Sequence, residues 1–412
     1  MEGNGIFGGV ATAGLVDIWH TLYDANGGQQ IIGGLTLEMI ERLKLRDAVK
    51  LHDRKSIGCY AVFNPPEMTI ELDRMVVGAG RIRPFLHTHF VRPVLDAEGH
   101  VDAAIIEDKT GRRAIKAKCF VDASGDGDLV HRAGFPTWKG PRLQPPTTGA
   151  VISGVAELCK ANPNFDIASA LLPKYNGGFK HVHMWMSEYV GFPGMNFMAE
   201  PCVEGADCSD ADSLTAAEIE GRRQIRALFD VIRSNFKEGD KLRLAALGSS
   251  IGIRETRRCE ALHRLTENEL LSGERFPDAI ANGCYPVDVH DNVGITFKYL
   301  DGTSFRQKRS PEEGCACLKG RWREETADNP LFYQIPYRSL VPKSSRNVLC
   351  AGRIVDSDEG AFGAIRVMVN CNQTGEAAGI AAAMCATSGA SVTEVNCQEL
   401  REKLSAAGAI VL

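Results

Sequence analysis

The sequence predicts an α/β protein in which a second, mixed α+β domain interrupts the first. Two distant stretches, Val121–Asp128 and Val348–Arg353, each join an apolar strand to a turn of small residues. Between about 140 and 340 the chain changes character, with a Pro- and Gly-rich entry and a long amphipathic helix. A chain of 412 residues is long enough to bury the cores of about two domains.

Residues 84–122 predict three antiparallel strands that form a meander. The strands are Pro84–Val94, Val101–Glu107 and Arg113–Val121, and Gly-bearing turns separate them. The third strand runs directly into the small residues of Val121–Asp128, followed by a helical stretch. Such a turn lets the backbone approach a ligand closely, although an ordinary strand–helix connection has the same composition.

The middle of the chain predicts a separate domain over 141–340, so that the first domain comprises 1–140 and 341–412. A strand pair is predicted around His181–Met198, and one long helix over Ser213–Phe236. Thr215 and Glu218 have capping-box spacing, and the apolar spacing after them gives the helix a buried stripe. The stripe consists of Ile225, Leu228, Phe229 and Ile232.

The C-terminal region repeats the strand–turn–helix pattern. The strand Val348–Ala351 leads to Gly352-Arg353, then to a loop reaching Gly363 and a helix over Arg366–Ala386. The helix is rich in Ala and Gly, a composition that permits close approach to a strand or to a flat ligand. A tightly packed core helix accounts for the same composition.

Composition and charge exclude several classes of function. The formal charge of −5 provides no basic surface for nucleic acid. The longest strongly apolar run, Ile380–Ala386, is too short to cross a bilayer, and no secretory signal is visible at the N-terminus. The 13 cysteines are scattered without a C-x-x-C pair, which indicates free thiols in the cytoplasm.

Metal binding is not predicted. Cys315 and Cys317 are one close pair in a loop, and they lack a second pair at metal-ligand spacing. The i,i+2 pairs His87/His89 and His181/His183 would place both rings on one strand face, which is seldom a metal site without further ligands.

The N-terminus contains Gly3-Asn4-Gly5-Ile6-Phe7-Gly8, which matches the dinucleotide fingerprint G-x-G-x-x-G. That fingerprint works when a buried strand delivers the chain to the turn and a helix then begins at the pyrophosphate. Only Met1 and Glu2 precede the first glycine, so no strand delivers this loop. An NAD-dependent dehydrogenase that uses Gly3–Gly8 is therefore disfavoured.

Four stretches together resemble the FAD-dependent oxidoreductases whose fold is the glutathione-reductase-like flavin domain. They are Phe120–Asp128, Ile251–Arg258, Phe276–Ile280 with Tyr285–His290, and Ala351–Arg353 through Gly363–Met368. They follow in the family's order along nearly the whole chain. The resemblance implies a Rossmann-like FAD domain containing the meander, formed by the two outer segments, and a substrate or cap domain over 141–340.

The resemblance also explains the N-terminal glycines. Glu2 stands where the family has the carboxylate that binds the adenosine ribose, and the loop with Gly8, Gly9 and Thr12 follows it. The family's glycine fingerprint precedes this carboxylate. The FAD domain is therefore expected to be incomplete and N-terminally truncated, without the first strand, the phosphate-binding helix and most of the second strand.

Further cofactor contacts are implied residue by residue. Ala123, Ser124, Gly125 and Asp126 would let the backbone approach the nucleotide half of FAD, and Gly352 with Arg353 would lie near the pyrophosphate and flavin. Ile365, Arg366 and Val367 precede the Ala- and Gly-rich helix, whose N-terminus would face the flavin pyrimidine ring. Arg366 as a plain surface arginine at a helix start is the alternative.

Three residues are candidates for chemistry. His290, in Asp288-Val289-His290-Asp291, is the candidate acid or base, because neighbouring carboxylates orient an imidazole and hydride transfer needs a proton partner. Arg254 or Arg353 would hold an anionic group of the substrate. A structural histidine and, for Arg254, a solvated helix face are the alternatives.

The predicted function is an FAD-dependent oxidoreductase that transfers a hydride between flavin and a small organic substrate, with an anionic substrate as one option. The alternative is a truncated, flavin-free remnant that acts as a binding or assembly protein without redox activity. No nucleic acid, membrane or metal partner is predicted. The electron acceptor is not identifiable from the sequence, and a homo-oligomer is compatible with it.

Overall fold

The computed structural model describes residues 1–163, 165, 185–291, 294–310 and 314–412. These residues form a mixed α/β fold. Its α-helices are α1 Gly34–Lys44, α2 Pro65–Gly78, α3 Asp128–Arg132, α4 Val155–Ala161, α5 Ala211–Asn235, α6 Glu267–Ser272, α7 Glu359–Ile365, α8 Met368–Ser388 and α9 Cys397–Ala406.

Strands alternate with the helices along the chain. They are β1 Ile18–Trp19, β2 Val49–Leu51, β3 Ala61–Phe63, β4 His89–Leu95, β5 Val101–Asp108, β6 Gly111–Lys116, β7 Phe120–Asp122, β8 Thr137–Trp138, β9 Thr147–Ser153, β10 Trp185–Glu188, β11 Met195–Cys202, β12 Arg243–Leu247, β13 Arg258–Cys259, β14 Ala279–Gly283, β15 Val287–Asp291, β16 Gly294–Lys298, β17 Thr303–Ser310, β18 Gly314–Arg321, β19 Tyr333–Pro336 and β20 Val348–Cys350.

The strands form several small sheets, of which three matter for the site. Strands β4, β5 and β6 form the antiparallel meander, and β15 to β18 form a four-stranded antiparallel sheet. The third sheet is the parallel pair of β7 and β20. The remaining sheets have the strand orders β1-β3-β2, β10-β11-β9-β12, β13-β8 and β14-β19.

The meander is confirmed, but the prediction of its third strand over Arg113–Val121 is wrong. The meander strand ends at Lys116, and Phe120–Asp122 is a separate strand in another sheet. Asn347 causes this change of sheet. The side-chain amide of Asn347 donates to the backbone carbonyl of Val101, and the backbone carbonyl of Asn347 accepts from the N–H of Phe120.

The long helix of the middle region is confirmed with a different start. Helix α5 begins at Ala211, and the Asp210 side chain caps it by accepting from the N–H of Ser213 at 2.9 Å. The capping box predicted at Thr215 and Glu218 is wrong. The Thr215 hydroxyl lies inside the helix and donates to the carbonyl of Ala211. The predicted stripe of Ile225, Leu228, Phe229 and Ile232 is buried.

The strand pair predicted around His181–Met198 is confirmed by the antiparallel pairing of β10 with β11. The pair His181/His183 lies outside the described residues. In the C-terminal region, a helix stands where the loop to Gly363 was predicted. Helix α7 covers Glu359–Ile365, and α8 begins at Met368 rather than at Arg366, because Val367 is extended.

Helix α8 is a core helix. Ala377, Ala378 and Ala381 are fully buried in the largest hydrophobic cluster, so close packing explains these alanines. Gly375 and Gly379 are exposed and have open space beside them. The Gln373 side chain donates to the carbonyl of Asn282 in β14 and accepts from that residue's N–H. This cluster also takes side chains from residues 11–68, 265–300 and 333–404. The domain limits at 140 and 341 stay a prediction.

Two further expectations concern cysteines and membranes. The cysteines whose side chains are described are free thiols. Within the described ranges, every helix falls short of the length and apolar character that a bilayer crossing requires.

Replacing Asp210 tests the start of α5. Asp210→Ala is expected to lower the free energy of unfolding by about 1 kcal/mol, because the Ser213 N–H loses its side-chain acceptor. Thr215→Ala is the matched control and should change it by less than about 0.5 kcal/mol. Urea unfolding followed by circular dichroism measures both, and an equal or larger loss in Thr215→Ala would contradict the assignment.

Candidate functional site

The parallel pairing of β7 and β20 sets the position of the candidate site. Asp122 lies opposite Cys350 in the register, so both strands end at the same edge of the sheet. The turn Ala123–Gly127 leaves this edge from β7, and Gly352 leaves it from β20. Two segments that are more than two hundred residues apart in the chain therefore meet, as the sequence predicted.

Asp122 organises the first turn, and the sequence analysis did not single it out. Its buried carboxylate accepts from the N–H and hydroxyl of Ser124 at 3.0 and 2.7 Å. It also accepts from the N–H groups of Leu129 and Val130 in α3 at 2.9 and 3.0 Å. The available signal was an acidic residue that closes an apolar strand directly before a small-residue turn and a helix.

Arg353 joins the two segments. Its Nη2 lies 3.2 Å from Oδ1 of Asp126, and its Nη1 is buried without a hydrogen-bond partner among the described residues. Gly125 has φ +78°, and a side-chain carbon there would collide with the Arg353 guanidinium. Glycine at this position therefore makes room for Arg353. Ala123 and Ser124, by contrast, are exposed.

Arg366 lies in a second polar cluster, together with Asp288, His290 and Tyr285. Oδ2 of Asp288 accepts from Arg366 Nη2 at 3.1 Å and from the Tyr285 hydroxyl at 2.9 Å. Oδ1 of Asp288 lies 3.3 Å from Nε2 of His290. The cluster depends on Gly363 of α7, where any side chain would collide with the Asp288 backbone.

Burial and charge set the protonation states in this cluster. Burial, and then the charge of Arg254, lower the pKa of His290 to about 4, so its imidazole is neutral at pH 7. Burial raises the pKa of Asp288, but His290, Arg366 and Tyr285 together outweigh it and hold this pKa well below its usual range. Nδ1 of His290 and Nε of Arg366 are buried without hydrogen-bond partners among the described residues.

Arg254 belongs to the same region, and the helix-face alternative for it is wrong. The segment Ile251–Arg257 is not helical, and Nη1 of Arg254 donates to the carbonyl of Pro145 at 2.6 Å and to the Thr147 hydroxyl. Arg254 is half-buried, and its neighbour Glu255 is buried and lies 2.8 Å from Arg258. The charges of this segment therefore point inward.

Cys371, in α8, connects the two polar groups. Its Sγ donates to the carbonyl of Arg366 at 3.2 Å and lies 3.9 Å from the position of a Cβ on Gly352. Burial raises the pKa of Cys371 to about 11, and the charges of Arg353 and Arg366 act in the opposite direction. Both arginines thus lie close to one thiol, and the sequence offered no local signal for it.

His20 is a further residue that the sequence analysis missed. Its ring stacks on Tyr285 with centroids 3.9 Å apart, and its Nδ1 contacts the carbonyl of Gly58 at 2.7 Å. Burial lowers the pKa of His20 to about 4, although Asp288 acts to raise it. A lone histidine near a short strand gives no periodic signal, so sequence reasoning could not select it.

The N-terminal candidates lie in their own loop. Glu2 pairs through its backbone with Phe85 and Thr88, and its carboxylate accepts from the N–H of Asn4 at 2.9 Å. Within the described ranges, no hydrogen bond or ion pair joins Glu2, Gly8, Gly9 or Thr12 to Arg353 or Arg366. The loop instead contacts the segment before Arg254, where the Ala13 carbonyl accepts from Ser249.

Among the described residues, the histidine and cysteine pairs considered as metal ligands belong to no cluster with metal-ligand geometry. His87 precedes β4 with φ +50°, so His87 and His89 are not two residues of one strand. Cys317 is exposed in β18, and the Cys315 side chain is outside the described part. Asp96, Glu98 and His100 approach one another in the exposed β4–β5 turn, a cluster that the sequence analysis did not name.

The site thus consists of two polar clusters, one at the carboxyl edge of the β7–β20 pair and one around Asp288, and each contains an incompletely paired arginine. The sequence model of the family described as FAD dependent oxidoreductase matches residues 1–404. The chain belongs to this family of enzymes, and the family's cofactor is FAD, as the sequence predicted.

The solved structures compared with the chain share few residues with it. The chain is similar to the myxobacterial chondrochloren halogenase CndH at 10% identity, over 86% of this chain and 58% of that one, with a TM-score of 0.36. It is similar to the aromatic hydroxylase CabE from angucycline biosynthesis at 10% identity, over 60% and 47%, with a TM-score of 0.34. The chain spans about half the length of CabE. No curated protein sequence matches it.

The arginines of the two polar clusters fit an anionic cofactor. The buried Nη1 of Arg353 and Nε of Arg366 need acceptors, and a diphosphate or a flavin carbonyl is an acceptor of the right chemistry. The N-terminus of α8 follows Arg366, and no side chain caps it. These unpartnered donors are the structural features that match FAD.

Proposed function

We propose that this chain is an oxidoreductase that transfers a hydride between FAD and a small organic substrate, held between the flavin region and residues 141–340. The unpartnered donors of Arg353 and Arg366 carry this proposal, because both are buried and both arginines lie near Cys371, close to the edge where β7 and β20 end. The family assignment gives no support to a flavin-free binding protein.

The residues of the two polar clusters would contact different parts of the cofactor. Ala123 and Ser124 would face the nucleotide half, and Asp126 would fix Arg353 beside the diphosphate through their 3.2 Å ion pair. Gly352, with φ +75°, would leave space for the diphosphate. When bound, FAD supplies the site that accepts or releases a hydride.

The remaining cofactor candidates complete this proposal. Ile365 and Val367 flank Arg366 at the junction of α7 and α8, where backbone N–H groups of the uncapped α8 would face the flavin ring. Glu2 would accept from the adenosine ribose, and Gly8, Gly9 and Thr12 would line its entry. We further propose a glutathione-reductase-like domain division at 140 and 341, and a cytoplasmic location on the basis of free thiols.

His290 is the proposed base. Asp288 holds the Nε2 side of the imidazole at 3.3 Å, which favours the tautomer with its proton on Nε2. Nδ1 then carries a lone pair, and it is the atom without a hydrogen-bond partner among the described residues. The low pKa of about 4 keeps the ring neutral at pH 7 and makes it a weak base. It would therefore take the proton of a substrate hydroxyl or amine as that group becomes acidic on loss of the hydride.

Arg254 is the proposed anchor for an anionic substrate group beside the reacting carbon. Its charge acts on the pKa of His290, so the two side chains lie within electrostatic reach. The Pro145 carbonyl, which accepts from Nη1 at 2.6 Å, fixes the direction of the guanidinium. Arg353, the other candidate for this role, is closer to the cofactor residues.

Arg353→Gln tests the cofactor site. The substitution should raise the Kd of FAD about tenfold or more, because charged donors to an anionic group are lost. Arg353→Lys keeps the charge and should lose less. Arg112→Gln, which removes an exposed pair with Glu107, is the control and should leave the Kd unchanged. Flavin fluorescence measures the Kd, and an unaltered value in Arg353→Gln would refute the assignment.

His290→Asn tests the chemistry. A panel of small alcohols, amines and hydroxy acids is first screened for anaerobic loss of the flavin's visible absorbance. With an active compound, His290→Asn should reduce flavin about a hundredfold more slowly while retaining FAD, because the base is removed. His100→Asn, in the β4–β5 turn, is the control.

The pH dependence provides a second readout of His290. Because the neutral imidazole is the active form, the wild-type rate should be level from pH 8 to about pH 6. It should then fall as the pH approaches the pKa of about 4. A break near the ordinary histidine pKa of about 6.5 would speak against a buried base, as would an unchanged rate in His290→Asn.

A further inference from the structure

The sheet of β15 to β18 carries one row of side chains that begins in the candidate site. Asp288 lies opposite Phe297, Phe297 opposite Phe305, and Phe305 opposite Lys319. Directly opposed residues in antiparallel strands point to the same face. The row therefore runs across three strand spacings, about 14 Å, from the Asp288 cluster to Lys319.

The middle of the row is aromatic. The rings of Phe297 and Phe305 have centroids 6.2 Å apart, and Tyr299, which directly follows β16, stacks on Phe297 at 6.4 Å. All three rings are only half-buried. Burial and the charge of Asp288 raise the pKa of Tyr299, which connects this aromatic strip to the polar cluster.

An open cavity of about 480 Å³ lies at the far end of the strip, where Tyr299, Phe305 and Lys319 line it together with Thr303, Ser304 and Gly320. This volume is within the range of small-molecule sites. Lys319 is exposed and has no carboxylate partner among the described residues. On the opposite face of the same sheet, Arg306 is paired with Asp291 at 2.9 Å. The unpartnered cation is therefore at the aromatic end of the site face.

We propose that this face binds the substrate and that the substrate is an aromatic carboxylate. Its ring lies on Phe297, Tyr299 and Phe305, its carboxylate pairs with Lys319, and its reacting end points along the row toward His290. This inference rests on the proposed function and adds the substrate class. Because the row spans about 14 Å, the carboxylate is remote from the reacting carbon, unlike that of a 2-hydroxy acid. Lys319 rather than Arg254 then holds the carboxylate, and Arg254 is left to bind the polar group at the reacting carbon.

Binding of 2-naphthoate tests the inference without the need for turnover. Isothermal titration calorimetry of the FAD-loaded protein should give a Kd for 2-naphthoate at least tenfold lower than for the neutral analogue 2-naphthalenemethanol. Lys319→Gln should abolish this difference, and Phe305→Leu should weaken both compounds severalfold. Leu318→Gln changes an exposed residue on the opposite face and should leave both Kd values unchanged.

Several results would overturn the inference. The inference is wrong if 2-naphthoate does not bind, or if the protein binds the two compounds with equal affinity. It is also wrong if Lys319→Gln keeps the preference for 2-naphthoate, or if Leu318→Gln weakens binding as much as the site variants do. The visible flavin spectrum of each variant separates this inference from the proposed function. If FAD is retained while the naphthoate result is negative, the substrate class is wrong and the proposed function stands. A protein that takes up no FAD removes the proposed function itself.

Discussion

The parallel pairing of β7 with β20 is the contact on which the rest of the site depends. It joins chain segments that are otherwise separated by the whole middle region, and it ends both at one edge. Asp122 then fixes the first turn through four hydrogen bonds, and Gly352 begins the second. Arg353 can reach Asp126 only because both turns leave the same edge.

Buried charge is concentrated at this edge and in the neighbouring cluster. Removing charged groups from water is costly unless each group is paired and hydrogen-bonded. Oδ2 of Asp288 meets this requirement through Arg366 and Tyr285. By contrast, Oδ1 of Asp288 and one nitrogen each of Arg353, Arg366 and His290 have no hydrogen-bond partner among the described residues. A bound ligand with acceptor atoms would complete this pairing, which agrees with an FAD family.

The sequence predicted those parts of the fold and site that local pattern determines. The meander, the two strand–turn segments and the buried stripe of α5 follow from periodicity and turn residues. The role of Asp210 as the N-cap of α5 was missed, because Thr215 and Glu218 also have capping-box spacing. Cys371 and His20 were missed because their roles arise from contacts between distant segments. Arg254 was uncertain for the same reason, since its partner is the carbonyl of Pro145.

The visible spectrum of the purified chain tests the central claim most directly. The purified 412-residue protein is mixed with excess FAD and passed through gel filtration. The protein peak is then examined for flavin absorbance. The two unpartnered donors of Arg353 and Arg366 predict a yellow protein with stoichiometric FAD. A colourless protein peak, with all flavin eluting later as the free cofactor, would contradict the idea that this edge of the sheet is built to hold it.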